Sequence, residues 1–327
     1  MSGPLRLRHR ALETIRRHRM WEAGQEVVVA CSGGRDSVVL LDVLHATQGA
    51  HGGRLSVLTV DHGQRPESAD DATFVVGWAA GLGLPVTAIP VGPRSGSEDD
   101  LRTARHQLFD RYVARGSVVA LGHHRRDQAE TLLLQLLRGG GVAARRGMLP
   151  VRQGRVRPLF DERPGALNAW AVARGLAWRE DPTNQSLGPL RNRVRHQLLP
   201  LLETLRPGAE ATLARSARLA AVDEALLETL ARDLSVDSPS FGAATEALAR
   251  RALLQRWPTL QGGQVDALMA ALRVGGGAVA LAEGRSLVGM LPEGQLPDVG
   301  SVGVHHVDVH RRSKRRSARG GEIADVE

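Results

Sequence analysis

The chain is 327 residues long and 42% hydrophobic, which predicts a globular protein of about two domains with real cores. Its 43 Lys+Arg against 35 Asp+Glu leave a net charge of +8, a balance that suits a polyanionic partner such as RNA, although Lys314 is the only lysine and an arginine-favouring composition would look the same. The single cysteine, Cys31, excludes an internal disulfide framework, a CxxC pair and a thiolate metal site built by this chain alone, while the lack of any apolar stretch near ~20 residues and of an apolar core after the basic Met1–Arg10 segment points to a cytoplasmic chain without a signal peptide.

The first predicted strand is the apolar run Val27 to Cys31. It is followed directly by Ser32-Gly33-Gly34-Arg35-Asp36-Ser37 and then by Val38 to Leu41, which opens a helix. A turn between a buried strand and a helix is a natural seat for phosphate. Two glycines let the backbone turn and approach an anion, serine hydroxyls donate hydrogen bonds, and the amides of the new helix point at the ligand. Asp36 is the residue that does not fit a bare anion loop, so it reads as a Mg²⁺ ligand or as the helix N-cap. The GxxxxGK[ST] phosphate loop is excluded because no lysine is near. Ser32 to Ser37 instead resembles the pyrophosphatase loop of ATP-dependent adenylating enzymes, which implies ATP, Mg²⁺ and released pyrophosphate.

Strands and helices then alternate. Leu55 to Val60 reads as the second strand and ends at Asp61-His62-Gly63-Gln64-Arg65. Ala72, Val75, Ala79 and Leu82 stripe a helix, Pro85 to Val91 is the third strand, and Leu101, Ala104, Leu108 and Tyr112 stripe the next helix. Ser117 to Leu121 is the fourth strand, stopping at Gly122-His123-His124; Asp127 to Arg138 is a helix with Ala129, Leu132, Leu133 and Leu136 inward. The pattern predicts an α/β fold: a doubly wound, mostly parallel, five-stranded sheet with ligands at the strand C-terminal ends.

The cluster from Gly122 to Thr131 is the second constellation. Asp127 and Glu130 have capping-box spacing at a helix start, which explains those two but not the paired histidines. A zinc site is disfavoured because adjacent residues on extended backbone diverge. The cluster therefore reads as a second wall of the nucleotide site. One of His123 and His124 would contact phosphate or shuttle a proton, and Asp127 would hold Mg²⁺ or orient substrate.

Beyond it, Arg191, Asn192, Arg193 and Arg195 form a basic segment before Pro200. They read as a solvated stretch or as clamps on triphosphate or RNA backbone, with Arg105 a weaker candidate for the same duty. With only 3% aromatic residues, RNA recognition would rest on phosphate contacts and shape. The alternation stops at Pro207-Gly208, which sets a catalytic domain at 1–207 and a smaller, mainly helical domain at 208–310. Leu219, Val222, Leu226 and Leu230 predict a long amphipathic helix there, followed by helical stretches around Leu248 to Trp257 and Val265 to Leu272 and strand-like runs at Ala278 to Leu281 and Ser286 to Leu291. The charged tail 311–327 lacks an apolar core and is expected to be disordered.

GHHxxDQxET at 122–131, paired with SGGxDS at 32–37, resembles the tRNA(Ile)-lysidine synthetase family. Further matches are Asp61 to Arg65, Arg157-Pro158-Leu159, Asp181 to Asn184 and Arg191 to Pro200, so the resemblance covers residues 26 to 200; Gln64 departs trivially where the family more often has leucine. The resemblance implies an adenine-nucleotide alpha-hydrolase-like fold and an ATP- and Mg²⁺-dependent ligase joining free L-lysine to the wobble cytidine of the CAU-anticodon isoleucine tRNA. It places Ser32 to Ser37, Asp61 and His62 on ATP. Asp36, Arg105, His123, His124, Asp127 and Glu130 fall in the catalytic group, with Asp36 and Asp127 toward Mg²⁺, and Arg191, Asn192 and Arg195 on the tRNA. Asp127 and Glu130 are the candidates for the lysine ammonium. A tRNA thiolase of the same fold and a small-molecule adenylating amidotransferase stay open as alternatives, and oligomeric state is open too, a homodimer included.

Overall fold

Val27, Val28 and Val29 are each at most 1% exposed, so the first strand is covered on both faces, the condition under which a parallel sheet is stable. The computed structural model describes residues 3–61, 68–90, 98–180, 186–234, 241, 244–258, 260, 262–273, 276–280, 286–290 and 303–305. The chain divides into two compact units, Met1–Val222 and Asp223–Glu327.

In the first unit, α1 (Gly3–Arg17) precedes β1 (Glu26–Ala30), α2 (Arg35–Ala46), the short α3 (Gln48–His51), β2 (Arg54–Asp61), α4 (Ser68–Gly81), β3 (Val86–Pro90) and α5 (Glu98–Val113). Then come β4 (Val118–Ala120), α6 (Arg125–Leu137), α7 (Val142–Arg145), β5 (Val151–Arg152), β6 (Arg155–Val156) and α8 (Pro164–Ala173). The unit closes with α9 (Leu190–Arg193), α10 (Leu199–Leu205) and the start of α11 (Ala209–Arg232). The sheet order is β3-β2-β1-β4-β6-β5. Five strands are parallel, as expected, and β5 adds a short antiparallel edge on β6.

Period-two alternation in β1 divides the core. Val27 and Val29 join Val38 to Leu41, Val75 and Leu167 on one side, whereas Val28 joins Leu58, Leu108, Phe109 and Val119 on the other. Each such side chain contributes about 1.5–3 kcal/mol by leaving water. α2 is nearly all apolar because it is buried between the sheet and α8. Its one buried carboxylate, Asp42, accepts from Trp170 Nε1 at 2.8 Å and from Arg174 Nε at 3.1 Å.

Three expectations are corrected. α6 starts at Arg125, with His124 as its N-cap residue and Asp127 at N3 accepting the His124 backbone N–H at 2.9 Å; the box is His124–Asp127, and Glu130 is free of capping duty. Leu136 is 46% exposed, because the buried face of α6 is set by Ala129 and Leu134 against Val194 and Leu199. α11 forms, yet Leu219, Val222, Leu226 and Leu230 are 49–64% exposed; Ala209, Glu210, Ala217, Glu224 and Ala231 are its buried positions.

The division between units falls inside α11, not at Pro207-Gly208. The second unit contains α12 (Glu246–Arg256), α13 (Gly262–Arg273) and an antiparallel sheet of β7 (Gly276–Ala280), β8 (Ser286–Met290) and β9 (Gly303–His305). Its core is built from Phe241, Leu253, Leu260, Leu268 and Met269. The tail 311–327 lies outside the described residues. Among the described residues, no helix is long and apolar enough to cross a membrane.

Candidate active site

The strand order reverses between β1 and β4, and a doubly wound sheet opens a crevice at such a point. Both sequence constellations meet there. A Cβ on Gly122 would lie 2.9 Å from the Asp36 carbonyl oxygen and 3.1 Å from the Ser37 nitrogen, so only glycine lets the end of β4 approach the first turn of α2 this closely.

Gly33 turns the loop with a φ of +82°, and its carbonyl accepts the Arg179 backbone N–H at 2.9 Å. Ser37 Oγ donates to the Gly34 carbonyl at 2.8 Å and accepts from the Ser32 N–H at 3.2 Å, which ties the loop to the helix start. Gly34 is the N-cap residue and makes no side-chain cap, so Asp36 is not the cap; it lies in the first turn. The amides of that turn face the crevice with the positive end of the helix dipole, an arrangement that favours an anion. Beside Gly33 an open groove of about 480 Å³ is lined by Phe74, Trp78, Arg179 and Asp70.

A chain of charged groups crosses the crevice. Asp36 Oδ1 accepts from Arg35 Nε at 3.1 Å, and Asp36 Oδ2 lies 3.3 Å from His124 Nε2. His124 Nδ1 lies 3.3 Å from Asp127 Oδ2 without a hydrogen bond, so the imidazole sits between two carboxylates and bonds one of them, Asp36. Asp127 Oδ1 accepts from Arg191 Nη2 at 3.2 Å and Arg195 Nη2 at 3.4 Å. Glu130, fully buried, accepts from Arg195 Nε at 2.6 Å on one oxygen and from Arg191 Nε at 2.9 Å on the other.

At Asp36, His124 and Asp127 burial opposes charge, and the neighbours outweigh it. At Asp36 burial pushes the carboxyl up, but the His124 ring and Arg35 hold it below the usual carboxylate range. Burial likewise works against a charged His124, but Asp36, Asp127 and Glu130 raise it above an ordinary histidine. Burial also opposes ionised Asp127, which His124 first, then His123, Arg191 and the His124 N–H, hold well below the usual carboxylate range. His123 behaves in the opposite way: burial first, against the pull of Asp127 and with Arg157, Arg191 and Arg105 adding, pushes it down to about 3. It is therefore neutral, and because Nδ1 accepts from Arg157 Nε at 3.3 Å, its proton is on Nε2. Arg157, itself lowered by burial and by Arg152 to about 10, is held by the Leu149 carbonyl at 2.6 Å.

Arg191 and Arg195, expected on phosphates, are turned onto Glu130 and Asp127, and Asn192 donates to the Ser186 carbonyl at 2.8 Å. α9 and α10 are joined by a π-helical turn, Val194–Leu198, an element that recurs at functional sites. Arg105 is exposed on α5, where its charge reaches His123 without a place in the carboxylate chain. Asp61 ends β2 opposite Pro90, and His62 lies outside the described residues.

A family model described as the PP-loop domain matches residues 7–202. The chain belongs to the PP-loop family. The tRNA(Ile)-lysidine synthase of Geobacter sulfurreducens is 42% identical over 230 residues, covering 66% of this chain and 48% of that protein. Its counterpart from Deinococcus radiodurans is 37% identical over 295 residues, covering 86% and 47%. This PP-loop chain thus spans about half the length of these curated relatives. Among solved structures, the U34-tRNA thiolase NcsA from Methanococcus maripaludis with its 4Fe–4S cluster is 18% identical with a TM-score of 0.56, covering 67% of this chain and 80% of that one, a likeness of fold.

PP-loop chemistry uses ATP, and the donor set can be tested for the accompanying Mg²⁺. Among the described residues no three His, Cys, Asp or Glu side chains form a metal cluster. Mg²⁺ needs only one or two protein carboxylates when phosphates and waters complete the octahedron. Asp36 fits, since its side chain is 35% exposed at the mouth of the loop; Asp127, 10% exposed and enclosed by His124 and two arginines, does not. Sequence reasoning missed Asp42 and Gln128. Gln128 accepts from the Met148 N–H at 2.7 Å and donates to the Arg146 and Met148 carbonyls, fixing the segment after α7. The signal for Asp42 was a single carboxylate inside an otherwise apolar helix.

Proposed function

We propose that this chain carries the catalytic unit of a tRNA(Ile)-lysidine synthetase, a ligase that joins free L-lysine to C2 of the wobble cytidine of the CAU-anticodon isoleucine tRNA and releases AMP and pyrophosphate. The observation that carries the reading is the convergence of SGGxDS and GHHxxDQxET across the Gly122–Asp36 contact, in a chain whose relatives bear that name. tRNA and ATP would be met in the cytoplasm.

In the first half-reaction the cytidine C2 oxygen attacks the ATP α-phosphorus and the bond to the β-phosphate oxygen breaks. The loop amides and the first turn of α2 hold the departing pyrophosphate, and Phe74 and Trp78 beside Gly33 offer faces to the adenine. Neutral His123 donates a hydrogen bond from Nε2–H to a phosphate oxygen and keeps its proton, while His124, raised by Asp36 and Asp127, favours the negative charge that collects beside Asp36. Mg²⁺ at Asp36 would neutralise the phosphates further. In the second half-reaction the lysine amine attacks C2 and AMP leaves, adenylation having turned a poor leaving oxygen into a good one. Asp127 and Glu130 act as positioning residues here, because both are engaged by Arg191 and Arg195. Asp36 is then the carboxylate best exposed to a substrate cation.

Thiolation on the same fold is disfavoured by Cys31, which is 2% exposed and whose thiol burial pushes up, making it a poor sulfur carrier. The test is incubation with ATP, Mg²⁺, labelled lysine and total bacterial tRNA. Label entering one tRNA species, with one AMP per lysine, is the expected result; ATP consumption without label transfer overturns the reading.

A further inference from the structure

α6 presents two sets of residues from a single turn. His124 and Asp127 face the crevice, while Arg125 and Gln128 line a separate cleft of about 320 Å³. The other walls are α1, the turn at Phe160 to Glu162, and α11. Five guanidiniums line this cleft, those of Arg10, Arg17, Arg125, Arg215 and Arg218, against three carboxylates.

Those carboxylates are already engaged. Glu162 binds Arg10 through two hydrogen bonds, the first at 2.7 Å; Asp161 lies 3.6 Å from Arg17; and Glu13 lies 3.3 Å from His9. Arg125 Nε has no hydrogen bond and faces Glu210 only at 3.6 Å. Arg215 and Arg218 are exposed, sit at i and i+3 on one face of α11, and have no ion pair among the described residues. The cleft therefore holds surplus positive charge in a fork-shaped form that matches phosphate oxygens.

We infer that this cleft seats the phosphodiester backbone of the RNA whose base reacts in the neighbouring crevice. The inference rests on the tRNA reading above and adds the surface that holds the RNA. A polynucleotide fits better than a single small anion, because the guanidiniums come from three separate helices. The cleft also abuts the reacting site, Arg125 directly following His124, so a strand whose base enters the crevice has this rim beside it for its backbone.

The test uses the full chain carrying R215A and R218A together, compared with a control of equal charge loss, R8A with R16A, at exposed positions of α1 outside the cleft. tRNA affinity is measured against salt by filter binding. Each lost phosphate contact should lower the log–log slope by about 0.7–0.9. The cleft pair should lower the slope by roughly one to two and raise the KM for tRNA about tenfold, with kcat at saturating tRNA unchanged, while the control stays near wild type. An unchanged slope in the cleft pair, or an equal loss in both pairs, overturns the inference while leaving the tRNA reading intact. If wild-type protein binds no tRNA at any salt, the tRNA reading itself fails and the inference with it.

Discussion

Asp36 carries the most chemistry of any single residue in the crevice, since it joins the loop after β1 to the histidine at the end of β4. Its position inside an anion loop made it conspicuous in the sequence, where ligand and helix cap were both open. Geometry removes the cap, because Gly34 occupies that position. Asp36→Asn keeps the shape and removes the charge, so the fold should persist while AMP formation falls by roughly two orders of magnitude or more, the scale of losing a preorganised charge stabiliser. Wild-type turnover accompanied by a lower melting temperature would show that Asp36 serves only the helix start. The paired histidines were legible as a cluster but not as different: which is pushed down and which is raised follows from burial and Arg157 on one side and two carboxylates on the other.

At the level of elements, the strands were readable because a sheet buried on both faces writes continuous apolar runs, and each polar cluster after such a run marked a strand end. Helix starts were less legible. The start of α6 depends on the His124–Asp127 bond rather than on the more familiar Asp–Glu spacing. The amphipathic stripe of α11 misled because helical periodicity states that a face is apolar, not that anything covers it. Arg191 to Arg195 misled for a related reason: charge in sequence carries no partner. Residues four apart share a face, and across the π-helical turn both guanidiniums reach Glu130. Glu130→Gln would leave those two guanidiniums sharing Asp127 alone. Breaking a fully buried pair costs ~3–5 kcal/mol, and because Arg191 and Arg195 are themselves 35% and 27% exposed, about 2–3 kcal/mol is expected here, read as a lower denaturation midpoint with unchanged slope. Unaltered stability with abolished lysine transfer would mean that Glu130 touches substrate instead.

Across the whole molecule, the same burial that builds the core sets the response to acid. His18, His51, His106 and His123 are all pushed below an ordinary histidine, burial being the leading cause at each, and His123 reaches about 3. An unfolded histidine titrates near ~6.5. Between there and the folded values the unfolded chain takes up protons that the native chain refuses, so stability falls as pH drops below ~6.5. His124 opposes this: its raised value adds stability that is complete below ~6.5 and lost as pH rises through its folded value. Asp127 acts lower down, its contribution being present above ~3.9 and lost as pH falls toward about 2. Among the described residues four histidines are depressed and one is raised, so a net uptake of protons on unfolding is expected. The formal charge of +8 grows on acidification and adds self-repulsion of the same sign. The melting temperature should therefore fall steadily from pH 7 to pH 5, and His123→Gln should make that decline shallower by about one proton's worth, ~1.4 kcal/mol per pH unit at most. A melting temperature that climbs as pH is lowered over this interval would mean that the raised His124 dominates and that the other four histidines are protonated within the fold.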